Sequence, residues 1–167
     1  MIDRALRWAL GALRAPIDLA LWLALAAGFL MMLHVCADVA GRTLLNRPLT
    51  GTTEVVAAFY MVATAFLPWA WVASRDQHIR ADIFSRIGSP RVDRAVDFGV
   101  RLLTLAYLAV FTWQTGVRAL QQMRAGESWQ VAGGYLAVWP SRWLLPIAGA
   151  LMALHLLLRL VDHVKKK

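Results

Sequence analysis

The stretch that decides the fold class is Gly51–Phe84, GTTEVVAAFYMVATAFLPWAWVASRDQHIRADIF. After Glu54 it runs for 20 residues without a formal charge, from Val55 to Ser74, and then enters the polar segment Arg75–Asp82. At the helical rise, about 20 residues cross a bilayer core of about 30 Å. The stretch therefore predicts a membrane-spanning helix with charged groups at both ends.

Similar charge-free runs recur along the chain, at Leu19–Ala37, Val55–Ser74, Leu102–Val117 and Trp143–Leu158. The chain is 59% apolar and 17% charged, whereas soluble domains average about 45–50% and about 25%. Extended across single polar residues, the runs predict spans at about 17–40, 52–74, 96–118 and 135–160. We expect an all-α membrane protein with four transmembrane helices, short amphipathic interfacial helices and one membrane domain over residues 1–167.

The basic residues indicate the orientation of these spans. The net charge of +8 could suggest a nucleic-acid partner, but the basic side chains lie in the gaps between apolar runs, so no nucleic acid is expected. With the N-terminus in the cytoplasm, 13 of the 18 Lys and Arg residues lie inside and 5 outside, as the positive-inside rule requires. Both termini and the connection at residues 75–95 are then predicted to be cytoplasmic.

Several residues predict where helices begin, bend or end. Residues 1–16 resemble an amphipathic interfacial helix whose arginines lie near phospholipid, with Pro16 ending it or opening the next helix. Pro68 predicts a kink in the second span, and Thr52 or Thr53 is expected to cap its start. Glycines 126, 133 and 134 predict a break before the fourth span. The first apolar run exceeds the 7–15 residues or so of a signal-peptide core, so we expect it to be a retained anchor.

Glu54 is the acidic residue with the clearest functional alternatives. Next to a charge-free run it could be a proton or cation site within the membrane. Its place at the start of the run favours a helix-start residue at the outer interface.

The histidines and the cysteine give little support for a cofactor. His34 and Asp38 lie four residues apart, but two ligands do not make a metal site, and a polar patch facing another helix is expected instead. His34 and His155 could suggest two axial haem ligands. Their predicted depths differ, about 24 Å and about 5 Å from the inner membrane surface. Cys36 is the single cysteine, which excludes an intrachain disulfide. No metal and no cofactor is predicted.

Arg101 and Arg142 lie at the edges of the third and fourth predicted spans, on opposite sides of the membrane. Their side chains could extend to the headgroups, or they could contact lipid phosphate or a partner subunit. The sequence shows neither a row of intramembrane acids nor a nucleotide loop or nucleophile motif. We therefore expect a non-enzymatic component of a larger assembly.

The chain resembles the small membrane subunit of the tripartite ATP-independent periplasmic (TRAP) transporters. In that family a glutamate precedes the second span, and a His-Ile-x-x-Asp sequence follows the basic turn after it. Here these are Glu54 and His78–Asp82. The sequences Gly126–Ser128 and Trp139–Trp143, before and at the start of the fourth span, also fit.

The resemblance implies a sodium-coupled importer of organic anions such as carboxylates in the bacterial inner membrane. A periplasmic substrate-binding protein and a large TRAP membrane subunit would be the partners of this chain, which would act as a fixed scaffold. Arg75–Asp82, with His78 and Asp82 four residues apart, is expected to form a structural hinge. Substrate-binding residues would lie on the other chains. The alternatives are a self-sufficient small proton-coupled exporter and a membrane anchor subunit of a respiratory complex.

Overall fold

The computed structural model describes residues 2–75 and 90–165 of the chain. Its helices are α1 (Ile2–Leu44), α2 (Thr52–Val55), α3 (Met61–Phe66), α4 (Trp69–Ser74), α5 (Pro90–Ala125) and α6 (Leu144–Lys165). A π-helical turn, Val56–Tyr60, joins α2 to α3, and a 3-10 turn, Trp139–Trp143, precedes α6. The strands β1 (Ser128–Val131) and β2 (Gly134–Ala137) form a hairpin between α5 and α6.

Within the described ranges, three helical segments are long and apolar enough to cross a membrane: Trp8–Leu44, Thr52–Ser74 and Trp139–Asp162. They agree with the predicted class of helical membrane protein. The predicted third span, 96–118, lies inside α5, which is not one of the three. The count of four spans and the side on which the termini lie therefore stay predictions.

The first helix continues through Pro16, so the predicted helix boundary there is wrong. A proline within a helix removes one backbone hydrogen bond. Directly after it, Ile17, Ala20 and Ala24 are buried against the rest of the bundle. At the helical rise, the 43 residues of α1 extend about 65 Å, about twice the thickness of a bilayer core.

The second apolar segment is built from pieces. It begins after Gly51, whose φ of 82° is left-handed and which takes the capping position predicted for Thr52 or Thr53. It then passes through the π-helical turn and is interrupted at Leu67 and Pro68, where α3 ends and α4 begins. The predicted irregularity at Pro68 is confirmed.

The connection between α5 and α6 differs from the sequence prediction. Tyr135 belongs to β2 and pairs with Gln130 of β1 in an antiparallel ladder, so the helical part of this segment begins at Trp139 rather than at residue 135. Pro140 follows in the 3-10 turn, where its fixed φ suits the first turn of a helix.

The core depends on small side chains. Ala20 and Ala24 of α1 pack with Ala63 and Leu67 of the second segment and with Ala148 of α6. Small residues let helix backbones approach closely, which favours helix association in membranes. The central helix is α6, which contacts α1, α3, α4 and α5.

Candidate functional site

A buried carboxylate ties the loop after α1 to the end of that helix. Asp38 is 7% exposed, and its Oδ1 accepts a hydrogen bond of 2.8 Å from the backbone N–H of Leu49. Its Oδ2 accepts a second bond, of 3.0 Å, from the guanidinium of Arg42 one turn later. Oδ1 therefore holds the connection between α1 and α2, while Oδ2 pairs with a residue of α1 itself.

His34 joins α1 to the second segment at the same end of the bundle. Its Nε2 lies 3.5 Å from the hydroxyl of Thr52, and its ring meets that of Tyr60 edge to face at 5.9 Å. The prediction of a polar patch facing another helix is confirmed for His34, whereas Asp38 bonds to the loop and to its own helix. Among the residues placed by the structure, no group of three potential metal ligands comes together.

The hairpin is closed at its base by an ion pair that the sequence analysis did not predict. Arg142 donates from Nε to Oε2 of Glu127 at 2.9 Å and from a terminal nitrogen to Oε1 at 2.7 Å. The Glu127 carbonyl also accepts a bond of 2.9 Å from the backbone N–H of Val138. Such a two-point guanidinium–carboxylate contact fixes orientation as well as distance.

The ion pair changes the titration of its acid. The hydrogen bond from Arg142 is the main cause that lowers the pKa of Glu127 below its ordinary value. Partial burial opposes this effect, while the positive charge of Arg142 and a hydrogen bond from Trp129 reinforce it. Glu127 is consequently ionised at neutral pH. The side chain of Arg142 has an acidic partner within the chain and stays 43% exposed, so its contact with lipid or a partner subunit stays a prediction.

The tip of the hairpin packs against the α1–α2 loop. A β-carbon added to Gly51 would lie 3.6 Å from Cγ1 of Val131, and one added to Gly133 would lie 3.8 Å from the Thr50 hydroxyl. We call this combined surface, residues 45–51 and 127–138, the loop platform. It lies at the end of the bundle where Asp38, His34 and the Glu127–Arg142 pair are found.

The opposite end of the bundle holds a charged cavity of about 560 Å³ between α1, the end of α4 and α6. Its ionisable lining residues are Arg14, Asp18, Arg75, His155, Arg159 and Asp162. The guanidinium of Arg159 donates to the carbonyl of Ser74 at 3.4 Å, which connects α6 to the end of α4. Arg75 stands over the Trp71 ring, 5.1 Å from its centre.

The other predicted site residues lie apart from one another in the structure. Glu54 is half-buried in the first turn of α2, and Arg75 is exposed immediately after α4. Arg101 is half-buried on α5. His78 and Asp82 lie outside the described residues, so the proposed hinge stays a prediction.

The two histidines considered as haem ligands lie at opposite ends of the second segment. His34 contacts Thr52 at its beginning, while His155 shares the charged cavity with Ser74 at its end. The 22 helical steps between these two positions correspond to about 33 Å. This separation does not fit one haem held between the two rings.

The fold and these contacts define a helical membrane-type bundle whose polar side chains hold loops and helix ends in place. The family model described as "Tripartite ATP-independent periplasmic transporters, DctQ component" matches residues 31–166. The chain therefore belongs to this family, and the resemblance carried by Glu54 and His78–Asp82 is confirmed. Neither the curated proteins nor the solved structures compared with the chain gave a match. Membership makes the chain a small TRAP transporter component and implies association with the other components of such a transporter.

Proposed function

We propose that this chain is the non-catalytic scaffold subunit of a sodium-coupled TRAP transporter that imports organic anions, such as carboxylates, across the bacterial inner membrane. The observation that carries the proposal is the family match over residues 31–166. The broad apolar surface of α1 supports it. Trp22 is 68% exposed there, and Phe29 and Leu33 are also exposed. A surface of this kind suits lipid and the large membrane subunit.

The packing of α5 supports the four-span topology. α5 packs against α6 more extensively than any other two elements pack together, and only the hairpin and the 3-10 turn separate these two helices. Because α6 lies in a candidate span, a helix packed along it lies at the same depth. Four crossings place both termini on one side, and the 13 to 5 distribution of basic residues favours the cytoplasm.

The loop platform then faces the periplasm. It contains the hairpin and the loop held by Asp38, two connections fixed by hydrogen bonds to buried or half-buried acids. A fixed outer surface suits contact with the substrate-binding protein, and exposed Tyr135 and Gln130 are available for such a contact. On the inner side, Arg75 begins the segment proposed as the hinge.

The two alternative functions gain no support from the geometry. An exporter that carries protons on Glu54 requires this acid near the middle of the span, but Glu54 lies in the first helical turn. A haem-binding anchor requires His34 and His155 at similar depth, but they lie at opposite ends of the second segment.

The test is reconstitution of the chain with its large subunit in liposomes. Binding protein loaded with a carboxylate is supplied outside, and uptake is followed with and without an inward sodium gradient. We expect a stable complex of the two subunits, sodium-dependent uptake by the complex, and no uptake by this chain alone. Transport by this chain alone, or failure to co-purify with the large subunit, would contradict the proposal.

A further inference from the structure

The charged cavity lies at the level where the second and third candidate spans end. Ser74 is the last residue of the second candidate span, and Asp162 is the last residue of the third. Both residues line the cavity together with Arg14 and Asp18 of α1. Below them, buried Ile17 packs on Ala70, Ala73 and Met152 in the apolar core. The cavity therefore opens at a membrane–water interface, where phospholipid headgroups lie.

Three arginines reach this cavity from three separate elements. Arg14 comes from α1, Arg75 follows α4, and Arg159 lies on α6. Guanidinium groups bind phosphate oxygens through paired, charge-assisted hydrogen bonds. A phosphate held among these arginines would join the N-terminal part of α1 to the rest of the bundle.

The cavity wall also carries two carboxylates, Asp18 and Asp162. They disfavour a ligand with additional negative charge and accept hydrogen bonds from an ammonium group. A quaternary ammonium has no N–H to donate to them. The arrangement of three guanidinium groups and two carboxylates therefore matches a ligand with one phosphate and one primary ammonium.

We propose that this cavity binds the headgroup of an aminophospholipid, of which phosphatidylethanolamine is the simplest. The arginines hold the phosphate diester and the aspartates hold the ammonium. The volume of about 560 Å³ falls in the range of about 300–1,000 Å³ typical of small-molecule sites. The bound lipid fixes α1 against α4 and α6 at this membrane surface.

Native mass spectrometry of the delipidated, detergent-purified full chain tests the proposal. The protein is titrated with phosphatidylethanolamine, phosphatidylcholine and phosphatidylglycerol of identical acyl chains. Inorganic phosphate and phosphoethanolamine are added as competitors, to separate a lipid site from a site for small anions. We expect phosphatidylethanolamine to bind most tightly and the free anions not to displace it.

Variants of the cavity test its binding of the phosphate and its binding of the ammonium group separately. Arg14→Gln and Arg159→Gln are each expected to weaken phosphatidylethanolamine binding about tenfold, the effect of a lost hydrogen bond to a charged group. Asp18→Asn should instead reduce the preference for ethanolamine over choline headgroups. Arg124→Gln, which removes an exposed charge at the other end of the bundle, should leave binding unchanged.

The thermal unfolding midpoint and gel-filtration profile of each variant show whether it is folded. If Arg159→Gln does not fold, the exposed residues Arg14 and Asp18 still provide the test. Equal binding of the three lipids, tighter binding of phosphatidylglycerol, or displacement by inorganic phosphate would overturn the proposal. A preference for ethanolamine that Asp18→Asn leaves intact would also overturn it.

Discussion

Gly149 of α6 lies directly against Thr112 of α5. A β-carbon at position 149 would stand 2.5 Å from the Thr112 hydroxyl and 3.5 Å from the Phe111 ring. One turn away in the same contact, a β-carbon at Gly116 would meet Pro146 at an ordinary 3.8 Å. The close approach of α5 to α6 therefore depends more on Gly149, where a methyl group would clash, than on Gly116, where a methyl group would fit.

Gly149→Ala is expected to lower the free energy of unfolding by about 1–3 kcal/mol, because the added methyl group overpacks the α5–α6 contact. Gly116→Ala, in the same contact but with room for the methyl group, is the matched control. Thermal unfolding in detergent gives the comparison. Thr112→Ala added to Gly149→Ala should restore stability, and an unrecovered double variant would show that the clash lies elsewhere.

The long apolar elements could be predicted from sequence because they depend on length and composition alone. The runs that contain Leu19–Ala37 and Val55–Ser74 are both helical. The interruption at Pro68 follows from the missing N–H of proline, which no neighbour can replace. Pro16 gives the same local signal, yet α1 continues through it, so a proline alone does not decide whether a helix is interrupted.

The hairpin and its ion pair depend on chain reversal, which a search for apolar runs does not detect. Gly126, directly after α5, has a φ of 63°, and the Glu127 N–H returns to the carbonyl of Gln122 at 3.0 Å. The sequence did contain a signal for a hairpin. Polar and apolar residues alternate in Ser128–Val131, and Gly133 and Gly134 follow. The charged cavity offered no such signal, because its residues come from three distant parts of the chain.

Asp38→Ala should destabilise the chain by about 1–3 kcal/mol, since it leaves the Leu49 N–H without its acceptor. Arg42→Gln removes the other bond to the same carboxylate, but the Arg42 side chain is 66% exposed. An exposed ion pair contributes less than about 1 kcal/mol. Thermal unfolding and proteolysis of the loop at residues 45–51 should therefore separate the two variants. Equal effects would mean that Asp38 acts through Arg42.

The Glu127–Arg142 pair should make stability depend on pH. The pKa of Glu127 is lowered in the folded chain, so its contribution is present above the unfolded value of about 4.3 and is lost as the pH falls through the folded value. Unfolding midpoints at pH 7 and pH 3.5 should show a larger decrease for the native chain than for Glu127→Gln. With Arg142 43% exposed, we expect a difference of about 1 kcal/mol or less. An equal decrease of the unfolding midpoint in the native chain and in Glu127→Gln would contradict this prediction.

His78→Ala combined with Asp82→Ala is expected to impair assembly with the large subunit or uptake. The expectation rests on the family sequence His78–Asp82 and on a spacing of four residues, at which two side chains can pair across a helical turn. Co-purification and uptake are measured on the same preparation. Gln77→Ala, inside the same polar segment, is the control. Normal assembly together with normal uptake would refute the hinge role.

Glu54→Gln tests the assignment of Glu54 as a helix-start residue. The carboxylate lies in the first turn of α2, half-buried, where the helix dipole favours a negative charge by about 0.3–1 kcal/mol. Glutamine keeps the size of the side chain and removes its negative charge, whose helix-start contribution is small, so the reconstituted complex should assemble and retain most of its sodium-driven uptake. Thr53→Ala, an exposed neighbour in the same turn, controls for disturbance of the helix start. Loss of uptake by an intact Glu54→Gln complex, with Thr53→Ala active, would show that transport requires the charge of Glu54, and would contradict its assignment as a helix-start residue alone.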